Sequence, residues 1–408
     1  MRTQLLLIWR ALARYGILAG TWTVAATAGS KIQTLAALSI AGYTGGLVES
    51  GRFGLATGAA LLSATLADFG LSSYITRSVS SGETRERSQV RRPAAIRIAL
   101  TGPLALISSL ILLQPHDGSG WLLVLATAAY AATYEASTLA LRLAYGAHQF
   151  RSGASINGSV RAATLVPMLV IGAFQGPLSA LLLIMSLGEL TIAAWQYLAS
   201  PLTGETSHAT ATLSFRSSWR LGVASIANVV ANRSDVIIVS VTASAVVLGE
   251  YNIGSQVENA LTVAALIPAG ATVAYVARRE STMGIRRMNL AVSVAVASIY
   301  TVLALPFLLF PQFLVPWIFG VELADYSVVR LCVVAGYFSA LAAVQLQVLV
   351  GQNRQARVMT TWIFLIPVAI TSLTLGAVAG GSTGAGWGAL IRDAIFLALA
   401  LGPFTRRR

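Results

Sequence analysis

The feature that most constrains this chain is a succession of apolar runs, each about 20 residues long. At 1.5 Å of rise per residue, that is the length a helix needs to cross the hydrocarbon core of a bilayer. Inside lipid the backbone has to satisfy its own hydrogen bonds, so runs of this length dictate helices. The pattern predicts twelve spans, at about 16–43, 53–74, 96–114, 120–144, 161–175, 178–198, 219–244, 249–276, 289–311, 327–350, 358–378 and 383–404. Charged residues make up 11% of the chain, against roughly 25% in soluble domains, so no soluble domain fits between the spans. The expectation is an all-α polytopic membrane protein with about twelve transmembrane helices in two six-helix lobes.

The net charge of +13 raises nucleic acid and anionic lipid as partners, and the placement of the cations decides between these and topology. Arg2, Arg10 and Arg14 precede the first span, and Arg77, Arg85, Arg87, Arg91, Arg92 and Arg97 surround the second break. Arg142, Arg151 and Arg161 surround the fourth; Arg216 and Arg220 mark the sixth; Arg278, Arg279, Arg286 and Arg287 the eighth; Arg354 and Arg357 the tenth. Arg406, Arg407 and Arg408 close the tail. The odd breaks GLVESGR, QPHDGSG, FQGP, VVLGEY, GVELADY and GGSTG hold Arg52 as their one clear cation. By the positive-inside rule, both termini and the even breaks are cytoplasmic, and the arginines report orientation in a cell membrane rather than a nucleic-acid site. The start, MRTQLLLIWRALARYG, begins like a secretory signal, but Arg10 and Arg14 interrupt the apolar run, so it reads as an uncleaved amphipathic lead-in.

The one long polar connection without basic character, SPLTGETSHATATLSF, divides the chain into a lobe at 1–200, a cytoplasmic linker at 201–215 and a lobe at 216–408. The halves echo each other: Gly51-Arg52-Phe53-Gly54-Leu55 opens span two and Gly249-Glu250-Tyr251-Asn252-Ile253 opens span eight. Six spans return each repeat to the same side, which gives parallel repeats about an axis along the membrane normal, an arrangement found in transporters.

Charges inside spans cost at least ~2.5–3.5 kcal/mol each, so those retained face a cavity or a partner. In span seven Ser225, Asn228, Asn232 and Asp235 form one polar stripe, with Arg233 about 100° round from Asn232. In span one Thr23, Thr27, Lys31 and Thr34 form another, and Lys31 is the only lysine. Each lobe thus opens with a helix carrying one deep cation. Lys31 and Arg233, with Asn228, Asn232, Asp235 and Arg392 beside them, are the candidate substrate contacts: a planar fork and a point charge both offset desolvation of an anion. The competing reading neutralises each cation with a buried acid, from among Asp68, Glu135, Glu189, Glu258 and Asp393. Arg392 and Asp393, adjacent on a helix, are expected to point about 100° apart, one to the cavity and one to a neighbour. Arg330 is expected to snorkel to the outer interface. Asp68, Glu189 and Glu258 are candidates for proton or sodium coupling. Tyr130, Tyr134 and Tyr337 are placed for sugar stacking or core packing, and Trp22, Trp121, Trp317 and Trp387 for interface belts.

The residues exclude several classes of function. The single Cys332 and the scattered His116, His148 and His208 leave no cysteine-based metal cluster, so no metal or cofactor is expected. No G-x-x-x-x-G-K-S/T motif is present, which excludes P-loop ATP hydrolysis in this chain. A sugar polymerase or ligase needs an outer catalytic loop, and every outer break here is short, so an enzyme is not expected. The loop signature of a major-facilitator transporter is missing after span two.

Two stretches, ESGRFGLATGAALLSATLADFGLSSYITRS and NRSDVIIVSVTASAVVLGEYNIGSQVENAL, each beside a membrane-spanning helix, resemble the polysaccharide flippases. These belong to the superfamily of multidrug extruders, oligosaccharidyl-lipid flippases and polysaccharide exporters. The resemblance implies two six-helix lobes around a central cavity. It also implies translocation of undecaprenyl-pyrophosphate-linked oligosaccharide repeat units for O-antigen or exopolysaccharide synthesis, with membrane lipids, a polymerase and glycosyltransferases as partners. A cation-coupled multidrug extruder of the same fold is the alternative.

Overall fold

The computed structural model describes residues 17–72, 75, 87–115, 118–147, 149–199, 215–266, 269, 272, 276, 282–352 and 354–402. The arginines of the leading segment and the tail, and the expected linker apart from Phe215, lie outside them. All secondary structure among the described residues is helical: α1 Ile17–Asp68, α2 Arg87–Leu113, α3 Gly118–Gly146, α4 Phe150–Ala173, α5 Leu178–Ala199, α6 Phe215–Thr242, α7 Ala245–Ala265, α8 Thr282–Leu309, α9 Pro311–Phe319, α10 Ser327–Gly351 and α11 Gln355–Leu401.

Two of these hold two spans each. α1 breaks at Gly46 (φ 67°, ψ −155°) and α11 at Gly380 and Gly381 (φ 57°, ψ −134°). A left-handed backbone is open to glycine at no steric cost, so one or two residues turn the chain back on itself. After the second break the hairpin closes tightly: a Cβ on Gly384 would sit 2.0 Å from the Gly376 carbonyl oxygen, and Ser372 Oγ donates to the Gly388 carbonyl at 3.0 Å. Twelve spans result, six in α1–α5 and six in α6–α11, with the short α9 between spans nine and ten. Six described helices are long and apolar enough to cross a membrane. A seventh is added if Gly222–Ala231 and Asp235–Thr242, bent by 40°, count as one span. The protein is a multi-pass membrane protein.

Several sequence expectations need correction. The breaks GLVESGR and VVLGEY are largely helical, because the turns are made by Gly46 and by Ser244, whose side chain accepts from Val247 N. Span five starts at Phe150 rather than near 161, so Arg161 lies inside α4 and not in a loop. The stretch FRSGASINGSV reads as polar, yet its small residues pack closely; Gly158 Cα lies 3.8 Å from a Cβ built on Gly29. α9 was not expected. Proline at its first turn and Gly320 (φ 67°) after its end delimit it, and Trp317 is exposed, as an interface belt requires. Arg330, rather than merely snorkelling, donates from Nε to the Leu308 carbonyl at the end of α8 (3.1 Å).

The lobes meet through α1 on one side and α6, α7 and α9 on the other. At the end marked by Gly46, the two echoing segments face each other. A Cβ on Gly249 would fall 2.0 Å from the Leu47 carbonyl oxygen, and one on Gly51 would fall 3.1 Å from that of Ala245. Asn252 Nδ2 donates to the Ser50 carbonyl (2.8 Å), and Tyr43 Oη to that of Trp317 (2.6 Å). Glu250, expected in a loop, is buried in α7, where it takes the Ala324 amide (3.0 Å) and the Ser382 hydroxyl (2.5 Å). The contacts of Gly249, Asn252 and Tyr43 hold the two lobes together at this end. At the opposite end, Gly222 packs on Phe69, where a Cβ would meet the carbonyl oxygen at 2.5 Å.

Candidate functional site

A cavity of about 360 Å3 lies between these two contacts, lined by both halves of α1 and by α3, α6 and α7. Thr27, Lys31 and Thr34 from the first half of α1 reach it, as do Ser225 and Asn228 from α6. These are the polar faces of the two lobe-opening helices, brought to one space by the packing of α1 on α6. Asp68, Glu135, Arg142, Tyr130 and Tyr134 complete its charged and aromatic lining. A larger cavity of about 550 Å3 sits at the Gly46 end of the first lobe, beside the Glu49–Arg52 ion pair (2.8 Å). It draws its lining from residues 44–179 alone, all in the first lobe.

The stripe expected along span seven divides. Ser225 and Asn228 stay with the cavity, but beyond the 40° bend Asp235 is buried in the second lobe. There it accepts from Tyr251 Oη (3.0 Å) and Ser255 Oγ (3.3 Å). The side chains of Thr23, Asn232 and Arg233 lie outside the described residues.

Arg392 does not line the cavity. Its guanidinium donates from Nε and Nη2 to both carboxylate oxygens of Asp393 (2.8 and 3.0 Å). It also lies 3.5 Å from Glu258 and 3.8 Å from Asp235. The expected 100° divergence of Arg392 and Asp393 is overridden because a long arginine side chain folds back to its neighbour when both are sealed from water. All four groups are buried. Three carboxyl groups share one guanidinium, so full ionisation leaves two uncompensated negative charges in a low-dielectric interior.

The first lobe holds a balanced counterpart. Glu189 pairs with Arg161 (2.6 Å) and accepts from Ser137 Oγ (2.5 Å). Arg161 donates further to Asn157 Oδ1 (2.7 Å) and Gln33 Oε1 (2.6 Å), and Gln33 donates to Thr164 (2.7 Å). An acid paired one to one with a buried arginine fits the competing structural reading of Glu189, a fixed salt bridge. Arg161 was missed as its partner because its polar surroundings in the sequence read as a loop. Asp68 lines the cavity, but its oxygens accept from the Ser72 amide (2.8 Å), the Ser72 hydroxyl (2.7 Å) and the Gly70 amide (3.2 Å), where the chain turns after α1. Arg97, also inside a helix, donates to the Ala67 carbonyl (2.5 Å) at that turn. Tyr337 packs edge-on against Tyr300 in the second lobe, 5.7 Å between centroids, away from the cavity.

The backbone architecture is shared with solved transporters. A structure of the lipid II flippase MurJ in an inward closed conformation superposes with a TM-score of 0.70 at 11% identity, covering 92% of this chain and 86% of that one. A MATE transporter in complex with MaL6 gives 0.64 at 16% identity, over 95% and 96%. A transporter of the MOP superfamily from Pyrococcus furiosus, described as having a binding pocket of reverse polarity, gives 0.63 at 16%, over 94% and 93%. At such identities the likeness establishes the fold: two six-helix lobes around a central cavity. A search of curated proteins by sequence found no match. The family model described as polysaccharide biosynthesis protein matches residues 22–278, more than half of the sequence, and the chain therefore belongs to the polysaccharide biosynthesis protein family.

Proposed function

We propose that this protein flips polyprenyl-pyrophosphate-linked oligosaccharide repeat units across the cytoplasmic membrane by alternating access, with both termini cytoplasmic. The observation that carries the reading is the inter-lobe cavity, which sets Lys31 among hydroxyl and amide groups between an outer and an inner lobe contact. An ammonium on that path offsets the desolvation of a pyrophosphate, and Arg233, one helical turn beyond Val229, is the second cation proposed for it. Coupling is assigned to the second lobe, where Glu258 and Asp393 share one guanidinium with Asp235. The excess acid there binds a proton or a monovalent cation, and the lobe has to accommodate its arrival and departure. Glycosyltransferases and a polymerase act before and after this step.

The carboxylates of Asp68 and Glu135 in the same cavity favour the second reading, a cation-coupled extruder. Proteoliposomes separate the two. With fluorescent undecaprenyl-pyrophosphoryl-N-acetylglucosamine, the protein should move label to the opposite leaflet, and Lys31→Ala and Arg233→Ala should abolish this at normal protein yield. Efflux of ethidium without any movement of the lipid would overturn the flippase reading.

A further inference from the structure

Glu135 lies midway along α3, is 2% exposed, and its Oε1 has no hydrogen-bond partner among the described residues. It lines the inter-lobe cavity together with Tyr130 and Tyr134, whose ring centroids are 6.0 Å apart with planes tilted by 46°. A buried acceptor without a donor is costly to leave unmade, so an atom entering the cavity is the natural source of that donor. The other cavity carboxylate, Asp68, already takes three local donors. Lys31 and Arg142 line the same space and balance its two acids, so a neutral donor fits there better than a cation. A neutral ring that carries hydroxyl groups on its rim and C–H bonds on its faces satisfies both features: the hydroxyl donates to Glu135 Oε1 and the face rests on the phenol rings.

We propose that Tyr130, Tyr134 and Glu135 form a saccharide subsite in the inter-lobe cavity. The proposal rests on the flippase reading above and adds that the protein grips a sugar ring as well as the pyrophosphate. At about 360 Å3 the cavity stands at the small end of ligand pockets. It therefore takes the sugar attached to the pyrophosphate, with the rest of the glycan outside the subsite.

The test compares two probes on purified protein in nanodiscs: undecaprenyl pyrophosphate alone, and the same lipid bearing one N-acetylglucosamine. The wild type should bind the sugar-bearing probe about tenfold more tightly, the upper end of what one hydrogen bond contributes. Glu135→Ala and Tyr134→Leu should bring that probe down to the affinity of the bare lipid, while Lys31→Ala should weaken both probes. Glu135→Gln keeps an acceptor oxygen and a folded cavity, and should retain most of the tenfold gain even if the alanine variant fails to fold. Equal affinity of the wild type for the two probes, or equal loss of both in the Glu135 and Tyr134 variants, would overturn the subsite and leave the flippase reading standing. Failure of the wild type to bind either probe would overturn both.

Discussion

Gly249→Ala tests whether the contact between the echoing segments is a gate. The added Cβ would lie 2.0 Å from the Leu47 carbonyl oxygen and 2.7 Å from its carbon, both backbone atoms just past the Gly46 turn. Carbon and oxygen approach to roughly 3.3 Å, so α7 and α1 must part by about 1.3 Å at this level. Overpacking of this kind costs about 1–3 kcal/mol. The cost falls only on conformers in which these two segments touch, so the closed-to-open ratio should drop by about 5- to 150-fold. The readout is labelling of Ser50→Cys by a membrane-impermeant maleimide in a Cys332→Ala background. Ser50 is fully buried under this contact, so labelling should be slow in the parent and faster by that factor with Gly249→Ala. Gly58→Ala, on the helix of the Ser50 reporter and with nothing within 4 Å of its Cβ, should leave the rate unchanged. Parental labelling rates in both Gly249→Ala and the bulkier Gly249→Val would refute the argument.

Other consequences follow from the charge clusters. Arg161→Ala strands Glu189 in the first lobe and should cost about 3–5 kcal/mol, read as loss of folded protein from the membrane fraction; exchanging both residues for glutamine should restore part of the yield. Arg392→Lys cannot donate to both oxygens of Asp393 while reaching Glu258, so the melting temperature should fall, and an unchanged value would mean that the fork is dispensable. Asp325, exposed in the loop between α9 and α10, is held below the ordinary carboxylate range by the Ser327 amide and then the Thr383 hydroxyl. With a lowered folded-state pKa, its contribution is present above the unfolded value of 3.8 and is lost as pH falls through the folded value. Protection of the Ser327 amide from hydrogen exchange should therefore persist from neutral pH to about 4 and vanish only in stronger acid; its loss at pH 5–6 would show that Asp325 does not hold the loop.

Length and hydropathy alone required twelve helices in a bilayer, because a backbone without water has no other way to pair its amides across 30 Å. The repeat at Gly51 and Gly249 was also visible in the sequence, and so were the stripes through Lys31 and Asn228, since helical periodicity is a local property. Three features were not legible. Hydropathy placed breaks at GLVESGR and GGSTG, but which glycine makes each turn, Gly46 or Gly381, shows only in its left-handed φ. The partners of charge were hidden as well: Arg161 finds Glu189 28 positions away, and Arg392 gathers Asp235 from 157 positions away, distances across which composition carries no signal. Nor did the shared motif announce that its two copies touch each other. Which face of a helix meets another, and which buried charge neutralises which, is decided by close approach of glycine backbones and by the cost of leaving a charge alone in a medium that cannot solvate it. Those forces act between residues only after the chain has packed.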